Sequence, residues 1–101
     1  MEKLIITNCA ADTSMHEGVP ATLGDSNVLA TEVEKGHAAG AAIAHIHAPP
    51  TDYDAWANHT KAIRDKCDVM IQYGISTQTV EQRKAVIANR PEMISVALCA
   101  H

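Results

Sequence analysis

Four short apolar runs alternate with three helix-forming stretches, and this alternation constrains the fold more than any other feature of the chain. The runs are KLIITNCA (3–10), AAIAHIHA (41–48), DVMIQYG (68–74) and MISVALCA (93–100). Each is short, rich in aliphatic residues, and bounded by polar residues, Gly or Pro, which is the pattern of a strand buried on both faces. Strands of that kind, spaced by helices, predict a parallel α/β sheet. The helices are marked at their ends. Asp25 or Ser26 can cap NVLATEVEKGHAA, whose apolar stripe is Val28, Leu29 and Val33, with Gly40 just past its end. In TDYDAWANHTKAIRDKC, Tyr53, Trp56, Thr60, Ile63 and Cys67 recur at steps of three and four and should form one inward stripe. Thr79 and Gln82 fit a capping box for VEQRKAVIANR, and Pro91 blocks further helix. The predicted order is β-α-β-α-β-α-β.

The 101 residues suit one domain, with 47% hydrophobic residues for a core. Phe is absent and aromatics are 3%, so that core must be mainly aliphatic. A net charge of -4 with no Lys/Arg cluster argues against a nucleic-acid surface. Cys9, Cys67 and Cys99 are scattered, odd in number and outside any CxxC, and no signal peptide is evident. This usage favours a reducing cytoplasm, with the thiols near apolar runs packing as small apolar groups. No apolar run approaches the ~18 residues of a membrane span.

The stretch AAIAHIHAPP (41–50) carries the strongest chemical signal. Residues i and i+2 of a strand share a face, so His45 and His47 should project together, with Ile46 turned to the helices. Pro49 and Pro50 then end the strand. The pair falls at the C-terminal end of its strand, where parallel α/β folds collect their active sites. Two neutral imidazoles at this spacing suit a zinc ion that has a further ligand and an open position. The other reading is a pair of core or rim histidines with satisfied hydrogen bonds. Asp12 and Glu17 lie in the loop after the first strand, on the same predicted rim, and suit a base, a ligand or a solvated carboxylate. Ser76, Thr77 and Thr79 follow the third strand and suit anion binding or helix capping. His16 lies in the long first loop and could approach the site. His37 and His59 fall on helices and read as surface or helix-face residues. His101 is terminal.

The segments KLIITNCA, EVEKGHAAGAAIAHIHA, AIRDKCDVMIQYG and RPEMISVAL together resemble the N-terminal part of the β-keto acid cleavage enzymes, which include 3-keto-5-aminohexanoate cleavage enzyme. The resemblance spans nearly the whole chain, and AGAAIAHIHA is its most specific block. It implies a (β/α)8 TIM barrel and a divalent metal, usually zinc, with His45 and His47 as metal ligands. It further implies cleavage of a small-molecule β-keto acid with acetyl-CoA, by Claisen and retro-Claisen steps, to acetoacetate and a new CoA thioester. The acidic residue of the first loop aligns loosely with Asp12, a candidate catalytic residue, and Ser76 is the candidate for substrate binding. The third metal ligand, a glutamate, and an Arg/Asp pair that assists proton abstraction come from later parts of such barrels. Family members commonly carry arginine where this chain has Pro49, and often serine where it has Gly74.

A barrel of this type takes ~250 residues. Residues 1–101 therefore read as a single partial barrel domain, about (βα)3β, with strands in the order 1-2-3-4 and helices on the outer face. It is expected to be the N-terminal part of a longer barrel and to be inactive alone. Open strand edges and an uncovered inner face predict association with further copies. Two other classes stay open: a non-catalytic α/β metal-binding or assembly module, and an amidohydrolase-like barrel, although those carry HxH on their first strand.

Overall fold

The computed structural model describes residues 3–12, 17–18 and 24–98. His16, Cys99 and His101 lie outside these residues. The elements alternate as expected: β1 (Thr7–Ala11), α1 (Ser26–Ala38), β2 (Ile43–His47), α2 (Tyr53–Lys66), β3 (Met70–Tyr73), α3 (Val80–Ile87) and β4 (Met93–Ile94). The strands form one sheet in the order β1-β2-β3-β4, and every pairing is parallel. This is the arrangement of a partial α/β barrel.

The register divides the sheet into two faces. Ala10, Ala44, Ile46, Ala48, Ile71, Tyr73 and Ile75 are buried in one cluster with Leu29, Ala30 and Val33 of α1, Trp56 and Ile63 of α2, and Val86 of α3. All three helices thus cover the same face, and burying each large side chain there contributes roughly 1.5–3 kcal/mol. The other face is more open. Thr7, Cys9 and Met70 are exposed on it, and His45, His47 and Gln72 are half-buried. Trp56 and Tyr73 anchor the core with ring centroids 4.8 Å apart. Their polar ends are satisfied: Trp56 Nε1 donates to the Pro49 carbonyl at 3.0 Å, and Thr60 Oγ1 bonds the Tyr73 hydroxyl while donating to the Trp56 carbonyl. Burial pushes the Tyr73 phenol up from its ordinary pKa.

Local chemistry explains the helix ends. Asp25 is the N-cap of α1, its carboxylate accepting from the Asn27 and Val28 N–H groups, so Ser26 is the first helical residue. Gly40 follows the helix with φ of 117°, a conformation that a side chain would strain. Asp52 caps α2, and α3 carries the complete Thr79/Gln82 capping box.

Both edge strands are shorter than their apolar runs suggest. β1 starts at Thr7, and Leu4, Ile5 and Ile6 are exposed, because the paired register with β2 begins only at Ile43. β4 has two residues, since side chains replace its ladder at either end. The Glu92 carboxylate accepts from the Ile71 N–H at 2.8 Å, and Ser95 Oγ accepts from the Ile75 N–H at 3.1 Å. Tyr53 and Cys67, expected on the inward stripe of α2, lie at its ends; Tyr53 is exposed and Cys67 only partly buried. Cys9, expected to pack, is exposed on the open face.

Candidate metal centre

The end of β2 is held on both sides. The Asp12 N–H donates to the His47 carbonyl at 2.8 Å, and the Gly74 N–H donates to the Ile46 carbonyl at 2.9 Å. Pro49, the first proline past the strand, is tied down in turn, since its carbonyl also accepts from the Asp52 N–H at 3.1 Å. The backbone that presents His45 and His47 is therefore bonded up to the sheet's C-terminal rim.

Both imidazoles project to the open face, as the alternation requires. Their rings meet edge to face with centroids 4.8 Å apart, and the two Nε2 atoms stand 2.9 Å from each other. His45 Nδ1 lies 2.6 Å from Gln72 Oε1. An amide oxygen only accepts, so His45 donates from Nδ1, and in the neutral ring its Nε2 carries a lone pair. Gln72 is the register partner of His45 on β3 and shares its face. Such a hydrogen bond behind a histidine fixes its tautomer and orientation for metal binding. The paired Nε2 atoms and the fixed tautomer fit a divalent cation as two of its ligands. Among the described residues no group of three or more His, Cys, Asp or Glu side chains is placed to hold an ion.

Gln72 was missed in the sequence reading. Its signal is a polar side chain inside the otherwise apolar VMIQY, but only the register of β2 against β3 assigns it to His45.

Asp12 stands elsewhere. It follows β1 one step out of phase with Ala11, the register partner of His47, and its side chain turns into the helix layer. It is buried, and its Oδ2 accepts from His59 Nε2 at 2.9 Å. His59 is also buried, so of its two readings, surface or helix-face residue, the surface one is corrected. In the neutral ring, with Nε2 donating to Asp12, its Nδ1 accepts from the Ser26 hydroxyl at 2.8 Å. The chain Asp12–His59–Ser26 ties the end of β1 to α2 and to the first turn of α1. Of the remaining candidates, Glu17 and Thr77 are exposed and Thr79 is the cap of α3. Ser76 is half-buried at the rim after β3, with its carbonyl accepting from Arg83 Nη2 at 2.7 Å. His37 is at the opposite end of the sheet, near Ala41, where it bonds the Ala41 carbonyl and the Asp68 carboxylate; both hold its pKa above the ordinary 6.5, the carbonyl most.

A parallel sheet with helices on one face and a histidine pair at its C-terminal rim defines a partial barrel protein of the α/β class, with its polar side chains where such folds carry their chemistry. Within that class the chain belongs to the beta-keto acid cleavage enzyme family, whose model matches residues 3–101. The match agrees with the resemblance carried by AGAAIAHIHA and leaves no place for the amidohydrolase alternative. No curated protein and no solved structure matches the chain. Family membership implies cleavage of β-keto acids, a small-molecule chemistry that is metal-dependent in general. Among the described residues no helix is long and apolar enough to cross a membrane.

Proposed function

We propose that this chain contributes His45 and His47 as ligands of a divalent cation, zinc foremost, in an enzyme that cleaves a β-keto acid with acetyl-CoA. The observation that supports this reading is the 2.9 Å approach of the two Nε2 atoms, with the His45 proton kept on Nδ1 by Gln72. In the reaction, the acetyl group of acetyl-CoA joins the carbon between the ketone and the carboxylate. The bond from that carbon to the original ketone carbon then breaks. Acetoacetate leaves, and the remaining acyl group ends on CoA, so atoms balance with no oxidant or reductant. A bound cation supplies Lewis-acid polarisation of the keto oxygen.

The chain's own residues prepare the site. Gln72 holds the ring of His45, the N–H groups of Asp12 and Gly74 hold the backbone of β2, and Asp12 braces the rim from the helix side through His59. Ser76, at the same rim, is the proposed contact to a substrate carboxylate. Self-association is part of the same reading. Leu4 at 90% and Leu98 at 97% exposure flank the two sheet edges, and apolar edges of this kind pair with other chains.

Titration of the purified protein with Co2+, followed by its visible absorption, tests the ligand assignment. One equivalent bound, and lost in both His45→Ala and His47→Ala, supports it; unchanged binding in either variant refutes it. Acetoacetate formation from acetyl-CoA and a panel of β-keto acids, before and after chelation, tests the reaction.

A further inference from the structure

We infer that Arg83 is a positioning residue for the substrate carboxylate: its guanidinium turns two successive carbonyls of the β3–α3 loop toward itself, and so turns the N–H groups of Ser76 and Thr77 away from it, as donors for that carboxylate. Arg83 Nη2 donates to the Ser76 carbonyl at 2.7 Å, and Arg83 Nε donates to the Ile75 carbonyl at 3.2 Å. A trans peptide is planar, with its N–H opposite its C=O. The Ile75 carbonyl shares a peptide with the Ser76 N–H, and the Ser76 carbonyl shares one with the Thr77 N–H. Fixing both carbonyls on one cation therefore directs both N–H groups to the other side. Neither N–H, nor the Ser76 hydroxyl, has a hydrogen-bond partner among the described residues.

The rest of the loop holds this arrangement in place. The Gln78 N–H also donates to the Ile75 carbonyl at 3.2 Å, closing a turn over Ser76 and Thr77, and the Ile75 N–H donates to Ser95 Oγ at 3.1 Å. Arg83 stands near the start of α3, with its own N–H on the Thr79 carbonyl at 3.0 Å, and the Thr79/Gln82 capping box fixes that first turn. Arginine suits the task, because its planar fork offers N–H donors in fixed directions, whereas a lysine ammonium is a point charge. Among the described residues no carboxylate pairs with this guanidinium, so its positive charge favours an anion at the same loop. The inference rests on the reading of Ser76 as the contact to a substrate carboxylate, and names what gives that contact its direction.

The experiment compares the isotope-labelled full chain with Arg83→Met, Arg83→Lys, Ser76→Ala and the double variant Arg83→Met/Ser76→Ala, with acetoacetate as the probe. In the wild type, acetoacetate should shift the amide NMR signals of Ser76 and Thr77, and the titration gives a Kd. Arg83→Met should raise that Kd about 10-fold or more, the scale of one lost hydrogen bond to a charged group. Arg83→Lys should raise it by a smaller factor, and it carries the test if Arg83→Met does not fold. Zinc affinity, measured by competition with a chelator, should stay unchanged, since His45, His47 and Gln72 are untouched. The loss caused by Arg83→Met should shrink in the Ser76→Ala background, because both changes act on one contact. A merely structural role would weaken acetoacetate equally in both backgrounds. A wild-type Kd in Arg83→Met or Arg83→Lys, or a loss of the same size with and without the Ser76 hydroxyl, overturns the inference. Ser76→Ala with wild-type affinity refutes the substrate reading, and the Ser76 and Thr77 amide signals of ligand-free Arg83→Lys, moved or unmoved from wild type, still decide whether Arg83 directs them.

Discussion

Replacing His59 by alanine should unfold the rim from behind. His59 and Asp12 are each only 1% exposed, and their side chains meet at 2.9 Å. A hydrogen bond to a carboxylate contributes about 1.5–3 kcal/mol. Its removal also takes the acceptor from the Ser26 hydroxyl and leaves a void between α2 and the sheet. Together these should reach the roughly 3–5 kcal/mol seen when one member of a buried pair is deleted. A domain of this size has only about 5–15 kcal/mol in total, so roughly a fifth or more of the stability is at stake. Urea unfolding followed by far-UV circular dichroism measures it. Asp12→Asn, which keeps shape and loses charge, should cost less, about 1.5–3 kcal/mol. The double variant should cost clearly less than the two single effects added, because both remove the same contact. Additive effects, or a His59→Ala cost below about 1 kcal/mol, would refute the claim that this pair braces the rim.

Other consequences are more local. Gln72→Leu should leave the fold intact and weaken zinc binding by about 10–100-fold, since the His45 tautomer is then unfixed; chelator competition and imidazole NMR check both halves. Burial alone would push the Glu92 carboxyl up, but the Ile71 N–H, its own backbone N–H and the Arg64 guanidinium bring it below the ordinary 4.5. A depressed carboxyl stabilises the fold above its unfolded value and loses that contribution as pH falls through its folded value. Glu92→Gln should therefore flatten the acid limb of the stability–pH curve below 4.5, as read by urea midpoints, and lower stability by a constant amount in the neutral region, where this carboxyl is ionised in both the folded and unfolded states. The side-chain oxygen of Gln78 is buried and, among the described residues, has no hydrogen-bond partner. Gln78→Met, apolar and similar in size, should raise stability by about 1 kcal/mol in the same assay, since it removes an unsatisfied group.

Much of the architecture was legible in the sequence because it follows from local rules. Alternating apolar runs and capped helical stretches specify a parallel sheet, and the capping box at Thr79 and Gln82 formed as written. The shared direction of His45 and His47 follows from the two-residue period of a strand. The boundaries were less legible. Leu4, Ile5 and Ile6 are as apolar as any strand, but a strand extends only as far as its neighbour pairs with it. β4 was cut short by the Glu92 and Ser95 side chains, which take hydrogen bonds that a backbone carbonyl would otherwise take.

What tertiary structure alone decided was which distant residues meet. Asp12 was visible as a rim carboxylate, yet its direction depends on one residue of phase after β1, and that phase sends it to His59 rather than to the histidine pair. His59 lies on a helix whose stripe was drawn through Thr60, and only the packing of α2 over the end of β1 buries it. Gln72 and Gly74 have no meaning for His45 and His47 until β3 is set in register beside β2. Sequence periodicity determines the face a residue takes within its own element, because that is fixed by backbone geometry a few residues long. Partners across elements depend on register and packing, which arise only when the sheet and its helices close on a common core.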